Sequence, residues 1–418
     1  MWRALRERLS PAVLARSFAA LRDAQYRRWS IAAFVSGSGG TASTVAIAWL
    51  VVELGGDGVA LGAIVGVVML PTLLAGSFAG MFVDRFSRRS VLLATHVLQM
   101  LVAAALAVLS FTGTAGLPAL FALSLVQGLA FAADNPARQL LVLDLVGREG
   151  TTSAVSMNEV VINASRIFGP AVAGAILAVG DPGWCFVFNA VSFLPSLVVL
   201  LRLRVPRIST ERVPDGMQGR APAAARRLRS PWRFAMGTPR IRTTLLLAIG
   251  AAASYNIAVV MPLMASDVFH AGGGGYAAIA VAFGVGALPG ALLSATGPAV
   301  PRSEEVRALA VALAGAVLLA AWSPVLGALL VTIALAGATS MWFIARANAL
   351  VLLETPAAMR GRVMGIWAMM LPGSTVLTGL LIGGLADLAG PRVAYAAVAV
   401  FLAVVVAVGW RALRTADV

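Results

Sequence analysis

The feature that most constrains this chain is a succession of long apolar runs separated by short polar segments. The runs cover about residues 29–53, 60–83, 90–112, 118–143, 154–178, 184–203, 243–267, 276–299, 306–322, 325–350, 363–386 and 392–412. Each is close to the ~20 helical residues that cross a ~30 Å hydrocarbon layer. Backbone groups find no water there and must bond within a helix. The sequence therefore predicts an all-α membrane protein with twelve transmembrane helices.

The composition excludes a soluble protein and nucleic-acid binding. Charged residues make up only 12% of the chain, about half the share of a soluble domain. The net charge of +14 would favour nucleic acid in a soluble protein. Here, however, the arginines flank apolar runs, as orientation signals do. The single Cys185 excludes an internal disulfide.

The arginines also predict which side of the membrane each loop faces. They concentrate in an N-terminal arm (1–28), in alternate loops and at the C-terminus. The opposite loops carry acidic residues, namely Glu53, Asp57, Asp181, Asp267 and Asp387. Positive charge stays on the cytoplasmic side. We therefore expect both termini in the cytoplasm, with residues 1–28 as an amphipathic arm on the membrane surface.

A long polar segment divides the runs into two sets of six. Residues 204–241 are rich in Arg, Pro and Gly and lack an apolar run, which predicts a cytoplasmic linker between halves at 29–203 and 242–413. An offset of 210 residues aligns Asp144 with Glu354, Gly169 with Gly379 and Gly174 with Gly384. The repeat predicts two six-helix pseudo-symmetric halves.

A charged turn between the second and third runs carries the first family resemblance. It contains Gly80, Asp84, Arg85, Arg88 and Arg89. Glycine allows close helix approach, aspartate favours a helix N-terminus, and arginine favours the cytoplasmic side. The pattern resembles the loop between helices two and three of major facilitator superfamily transporters, although Ser87 replaces a usual glycine. The resemblance implies the major facilitator fold and a gating role for these residues.

A second motif lies in the fifth run. Gly169, Pro170 and Gly174 resemble the Gly-Pro-rich motif of the exporter branch, although Ser165 stands where another glycine is common. Pro170 would bend the helix, and the glycines would admit a helix of the other half. The alternative is an ordinary kinked helix. In the fourth run, Ser124 replaces the family's arginine, so no proton-handling role is carried over to it.

Two groups of polar residues are candidates for coupling. Glu159, Asn163 and Arg166 share one helix face, and an unpaired arginine at that depth costs ~2.5–3.5 kcal/mol. They form either a cavity-lining site or a closed ion pair. Asp134 is either a titrating group or a partner of Arg85 or Arg88 in a cytoplasmic gate, or it is a local partner of Arg138. In the local alternative, Pro136 begins a helical turn.

No sequence motif indicates an enzyme. A phosphate-binding loop, a metal-ligand cluster and a Ser/His/Asp set are all missing from the sequence, so we expect no cofactor, no metal and no direct use of ATP. The motifs, with Trp49-Leu50-Val51 and Asn135-Pro136-Ala137-Arg138, are similar to the branch containing the enterobactin exporter and drug efflux proteins. That resemblance implies a monomer in a bacterial inner membrane. It implies proton-driven export of a bulky amphipathic small molecule, a siderophore or drug, by alternating access. An uptake symporter or facilitator, or a non-transporting receptor, remains an alternative.

Overall fold

The computed structural model describes residues 19–85, 87–203, 231–254, 257–296, 301–356 and 359–413. For the helical residues 75–85, 143, 147–152, 155–156, 159, 231, 257, 295–296, 361, 368 and 371–372, only the backbone is described. Most of the predicted arm (1–28) and of the predicted linker (204–241) therefore lies outside the described residues. Every regular element within the described part is helical.

The first part of the chain follows the predicted runs closely. After a short 3-10 turn at Ala19–Arg22, the helices are α1 (Ala24–Glu53), α2 (Gly58–Arg85), α3 (Arg88–Phe111), α4 (Leu117–Leu177) and α5 (Gly183–Arg202). Asp23 begins α1 by accepting a hydrogen bond from the Tyr26 amide at 2.7 Å. Ser87 caps α3 through the Ser90 amide at 3.1 Å. These side chains satisfy amides that the first turn of a helix leaves open.

Helix α4 merges two predicted spans, 118–143 and 154–178, into one uninterrupted helical assignment. Its contacts show that it reverses direction. Ala119, near its start, and Val108, near the end of α3, line one cavity. Ser153 Oγ accepts a hydrogen bond from the Ala20 amide before α1, and Leu177, at the end of α4, lies with Trp49, near the end of α1, against Gly273. The two arms, Leu117–Val146 and Val160–Leu177, are each apolar enough to cross a membrane. The two arms correspond to the predicted spans, and the chain must bend between them; the connecting residues are assigned as helix rather than as a plain loop.

The remaining helices are shorter and more interrupted. They are α6 (Pro231–Gly237), α7 (Pro239–Ser254), α8 (Ile257–Leu263), α9 (Gly272–Thr296), α10 (Ser303–Ala321), α11 (Leu326–Glu354), α12 (Arg360–Ala389) and α13 (Pro391–Val408). A π-helical turn, Met264–Val268, continues α8. Helix α6 falls within the predicted linker, and its Ala235 is fully buried. The end of that segment is therefore packed helix rather than a plain connection.

The molecule is an all-helical, multi-pass membrane protein. Nine helical segments of the described residues are long and apolar enough to span a bilayer, and Gly58–Leu74 and Gly373–Ala389 are shorter apolar helices. The predicted ninth span corresponds to α10, whose first turn carries Glu304 and Glu305. Many large apolar side chains on the described helices are exposed, including Leu381 and Val404. Lipid-facing helices require such surfaces.

Small residues bring the helices into close contact. Gly58 and Gly62 of α2 lie directly against the backbone of Gly383 and Gly379 of α12, with no room for a Cβ atom. In α9, Gly286 is likewise pressed against the backbone of Ala334 in α11. Lipid provides no hydrophobic force between helices, so association depends on this close packing.

Candidate functional site

A cavity of about 190 Å³ lies where α1, α4, α8 and α9 meet. Its lining residues are Thr41, Thr44, Val45, Asn163, Arg166, Pro170, Ala258, Tyr276, Ala280, Phe283, Gly284 and Ala287. Hydroxyl, amide and guanidinium groups come from α1 and α4. The side chains of α8 and α9 are apolar or aromatic apart from the Tyr276 hydroxyl. The cavity therefore has one polar and one apolar wall.

The polar wall is positioned by close packing of the second arm of α4 against α1. Thr41 Oγ1 donates to the Ser165 carbonyl at 2.8 Å, and Ser165 Oγ donates to the Phe34 carbonyl at 3.2 Å. A side chain at Gly169 would collide with Thr41 and with the Ser38 carbonyl. These contacts hold Arg166, the residue after Ser165, at the cavity wall.

A larger apolar groove adjoins this cavity. It measures about 840 Å³ and runs along α4, α9 and α11, lined by alanine, glycine, valine, leucine and proline side chains only. Pro170 lines both spaces. The polar cavity and the apolar groove are therefore neighbours.

Part of the predicted polar stripe is brought together at the cavity. Asn163 and Arg166 both line it, and the Arg166 side chain is exposed to it. Glu159 lies on the same helix one turn before Asn163, but its side chain is outside the described set. The interpretation of a cavity-lining site therefore agrees with two of the three residues. A pairing of Glu159 with Arg166 stays a prediction.

Asp134 lies in a second, buried cluster away from the cavity. Arg138 donates to its Oδ2 from Nη2 at 2.7 Å and from Nε at 3.1 Å. Thr95 Oγ1 donates to Oδ1 at 3.2 Å, and His96 Nε2 lies 3.0 Å from the same oxygen. The predicted local pair with Arg138 is present. Pro136 lies inside α4 and does not begin a turn, so that detail is wrong.

Sequence reasoning missed His96. It lies in the third apolar run, and its ring is fully buried between Trp29 of α1 and Phe193 of α5. A histidine within a membrane-spanning run was the available signal, because ionisable residues are rare at such depth and usually functional.

The predicted gating residues lie where α2, α3 and α4 meet. Arg88 forms an ion pair with Asp144, so the predicted alternative of an Arg88–Asp134 pair is wrong. The preceding turn directs Arg88 to the last turns of the first arm of α4. Arg89 Nη2 donates to the Leu201 carbonyl of α5 at 2.7 Å.

Three further gating candidates lie on the last turns of α2. The side chains of Asp84 and Arg85 are outside the described set, as are the surroundings of Gly80. Their gating role stays a prediction.

The two glycines of the Gly-Pro-rich motif contact different helices, whereas both were expected to contact the other half. Gly169 packs against α1 of the same half, at Thr41 and Ser38. Only Gly174 faces α9, where an added Cβ would lie 2.9 Å from Ala277 Cβ. The prediction that both glycines admit a helix of the other half is therefore wrong for Gly169. Residues five positions apart point to different sides of a helix.

Asp387, in the last turn of α12, joins this helix to α2. Asp387 accepts hydrogen bonds from the Gly58 and Val59 amides, at 2.6 and 2.9 Å. This carboxylate caps the first turn of α2, and the favourable charge at a helix N-terminus adds to the hydrogen bonds. Within the described residues, no three His, Cys, Asp or Glu side chains come together as metal ligands would.

Sequence comparisons connect this arrangement with transporters. Residues 15–417 match a family model described as transmembrane secretion effector. A staphyloferrin A transporter of Staphylococcus aureus is 27% identical over 226 residues, which are 54% of this chain and 55% of that transporter. The multidrug efflux pump Tap of Mycolicibacterium fortuitum is 28% identical over 398 residues, covering 92% of this chain and 95% of the pump.

Solved structures agree on the fold. The nucleoside transporter NupG has a TM-score of 0.69 at 14% identity, covering 94% of this chain and 100% of that one. A D-xylose–proton symporter has a TM-score of 0.67 at 14% identity, covering 90% and 96%. At such low identity the likeness concerns the fold alone.

Proposed function

The chain belongs to the transmembrane secretion effector family of the major facilitator superfamily, and we propose that it is a proton-driven exporter of a bulky amphipathic small molecule. It is a transporter rather than an enzyme. The observation that carries the proposal is the polar cavity at Arg166 and Asn163 beside a wholly apolar groove. Such a pair of spaces suits a solute with a polar head and a large apolar part.

In this proposal the head group meets the polar wall. The Arg166 guanidinium offers charge-assisted, planar hydrogen bonds to an anionic or strongly polar group. Asn163, Thr41 and Thr44 offer neutral hydrogen bonds, and Phe283 packs on the apolar part. The groove beyond Pro170 receives the remaining apolar surface. A siderophore or a drug fits this description.

Alternating access requires two halves that move against each other. We propose the halves at 29–203 and 242–413, with six spans each, joined by residues 204–241. Two described contacts support this division. Gly174 of α4 faces Ala277 of α9. The residue that the 210-residue repeat aligns with it, Gly384 of α12, faces α2, and a Cβ atom added to Gly384 would lie 3.7 Å from Val59 Cγ2.

The proposed orientation puts both termini in the cytoplasm of a bacterial inner membrane. The Asp387 cap on α2 would then lie at the outer surface and close it between the halves. Asp84, Arg85 and the neighbouring arginines would open and close the opposite, cytoplasmic side. This arrangement supports an inward-facing state.

The proposal is tested by transport in vesicles. Protein in liposomes, with an imposed pH gradient and a panel of fluorescent amphiphiles and siderophores, should move at least one compound against the direction of proton flow. Arg166→Ala should weaken binding of that compound about tenfold to a hundredfold, since hydrogen bonds to charged groups contribute ~1.5–3 kcal/mol. Arg411→Ala, at an exposed arginine near the C-terminus, is the control and should transport normally.

Two results would contradict the proposal. A compound that moves in the same direction as protons would identify an uptake symporter. Movement that ignores the pH gradient would identify a facilitator.

A further inference from the structure

We infer that His96, held beside Asp134, is the proton-binding site that couples transport to the proton gradient. The inference rests on the proposed proton-driven function and assigns its proton to a particular side chain. Three properties of the cluster formed by His96, Asp134 and Arg138 support it. The cluster is buried, the imidazole can form a further hydrogen bond, and the carboxylate lies between two side chains that can carry positive charge.

The first observation is the burial of an ionisable pair inside the membrane. The His96 and Asp134 side chains are each only 1% exposed. Trp29 stacks on the imidazole with 9° between the ring planes, and the Phe193 ring centroid is 5.4 Å away. Replacing a buried ion pair by apolar residues of similar volume is often neutral or stabilising. Packing alone therefore does not account for this pair.

The second observation is that the imidazole has unused bonding capacity. The Nδ1 atom of His96 has no hydrogen-bond partner among the described residues. The other ring nitrogen, Nε2, lies 3.0 Å from Asp134 Oδ1. Buried polar groups are almost always satisfied, and exceptions need an explanation. The unpaired nitrogen is explained if the imidazole takes up a proton there and the adjacent carboxylate stabilises the resulting positive charge.

The third observation is that Arg138 and His96 both contact the one carboxylate of Asp134. With Asp134 ionised, Arg138 already balances its charge, and a protonated His96 would leave one positive charge in excess at low dielectric. Arg138 is 24% exposed, whereas Asp134 is 1% exposed. Arg138 can therefore withdraw towards water, but Asp134 cannot. When Arg138 withdraws, protonated His96 replaces it as the partner of Asp134.

This exchange links the proton to conformation. A ligand shifts an equilibrium only through its different affinity for the two states. The proton prefers the state in which Arg138 has left Asp134, and it is expelled when Arg138 returns. In the proposed exchange the proton is taken up from the outer side and released to the cytoplasm. Arg138 and Arg166 lie on the two successive arms of α4, so the chain connects the exchange directly with the cavity.

The groups that face His96 come from three helices. Helix α4 contributes Asp134, with Arg138 behind it. Helices α1 and α5 contribute the rings of Trp29 and Phe193, which carry no titratable proton. Thr95, the neighbour of His96 on α3, shares its hydroxyl between Asp134 and the Leu92 carbonyl.

The first test observes the proton directly. The chain contains two histidines, so full-length His270→Gln protein, ¹⁵N-labelled at histidine in nanodiscs, gives signals from His96 alone. We expect these signals to change from neutral to protonated as the pH is lowered. In Arg138→Gln the protonated form should persist to higher pH, because Asp134 has lost its other partner. One unchanged protonation state in both proteins would overturn the inference.

The second test separates coupling from transport. His96→Gln should lose at least about nine-tenths of proton-driven flux, yet keep substrate binding and substrate exchange without a pH gradient, since glutamine cannot titrate. His270→Gln, at an exposed loop histidine, should behave as wild type. If His96→Gln folds poorly, the same flux measurement on His96→Asn and the NMR measurement on the His270→Gln protein test the inference instead.

The two hypotheses fail in distinguishable ways. Wild-type protein without proton-driven flux contradicts the proposed function. Wild-type and His96→Gln proteins with equal proton-driven flux contradict this inference alone. Loss of coupling in Glu159→Gln with normal coupling in His96→Gln would assign the proton to Glu159.

Discussion

At the scale of single residues, the charges buried in the described helices form specific pairs rather than a general polar surface. Asp134 meets Arg138 one turn along α4 and His96 on α3. Arg346 of α11 similarly meets Glu305 of α10 at 2.7 Å. Each pair ties two membrane helices or two turns together, and removing one partner leaves an uncompensated charge at depth.

Asp134→Asn should therefore destabilise the protein strongly. Breaking a buried pair by removing one partner costs up to ~3–5 kcal/mol, and the cost here falls towards the lower end because the remaining Arg138 is 24% exposed. The midpoint of thermal unfolding should still fall clearly. The double variant Asp134→Asn with Arg138→Gln should recover part of the loss. Glu304→Gln is the control, because Glu304 is 63% exposed and lies 3.8 Å from Arg307; a surface pair contributes ~0–1 kcal/mol. Equal decreases in the unfolding midpoint for Asp134→Asn and Glu304→Gln would contradict the prediction that the buried cluster contributes more stability than the surface pair.

At the scale of helices, crossings depend on individual glycines. Along α2, Gly62 is in direct contact with the Gly379 backbone, whereas an added Cβ at Gly66 would lie 3.5 Å from Val376 Cγ1, an ordinary contact. Two glycines one turn apart on one helix therefore differ in the space they leave. The crossing of α2 and α12 joins the two proposed halves, so the difference has a functional consequence.

Gly62→Ala should favour separation of α2 from α12. Overpacking typically costs ~1–3 kcal/mol, and opening the crossing relieves it more easily than unfolding a half. Spin labels on α2 and α12 near Gly58 and Asp387 should report a larger fraction of long distances. Gly66→Ala should leave the distance distribution unchanged. A shift of equal size in both variants, or in neither, would contradict the role of the crossing.

At the scale of the whole molecule, orientation follows from the distribution of arginine. Most arginines lie at the termini and in alternate loops, and the loops between these carry Glu53, Asp57, Asp181, Asp267 and Asp387. Arginine is retained in cytoplasmic loops. In the proposed orientation we expect the closed α2–α12 contact to lie outside and the Asp134 and Arg88 clusters to lie towards the cytoplasm.

Cysteine labelling should distinguish the two faces. In a Cys185→Ala background, which removes the one, fully buried thiol, a membrane-impermeant reagent added outside should label His270→Cys. It should label Gly219→Cys, outside the described residues, only after the membrane is permeabilised. The reverse pattern would overturn the orientation.

The sequence by itself determined the apolar spans and the all-helical membrane class, because a hydrophobic segment of ~20 residues is a local property that is sufficient for insertion into the bilayer. The motifs in the loops and in the fifth run determined the family. The sequence also predicted the Asp134–Arg138 pair, since residues four apart meet on any helix. Only the tertiary structure decided that His96 lies beside Asp134, that Arg88 selects Asp144 and that Gly169 packs on α1. Those contacts depend on the register and rotation of neighbouring helices. Lipid provides no hydrophobic force between helices, so the close packing of small residues determines the register and the rotation.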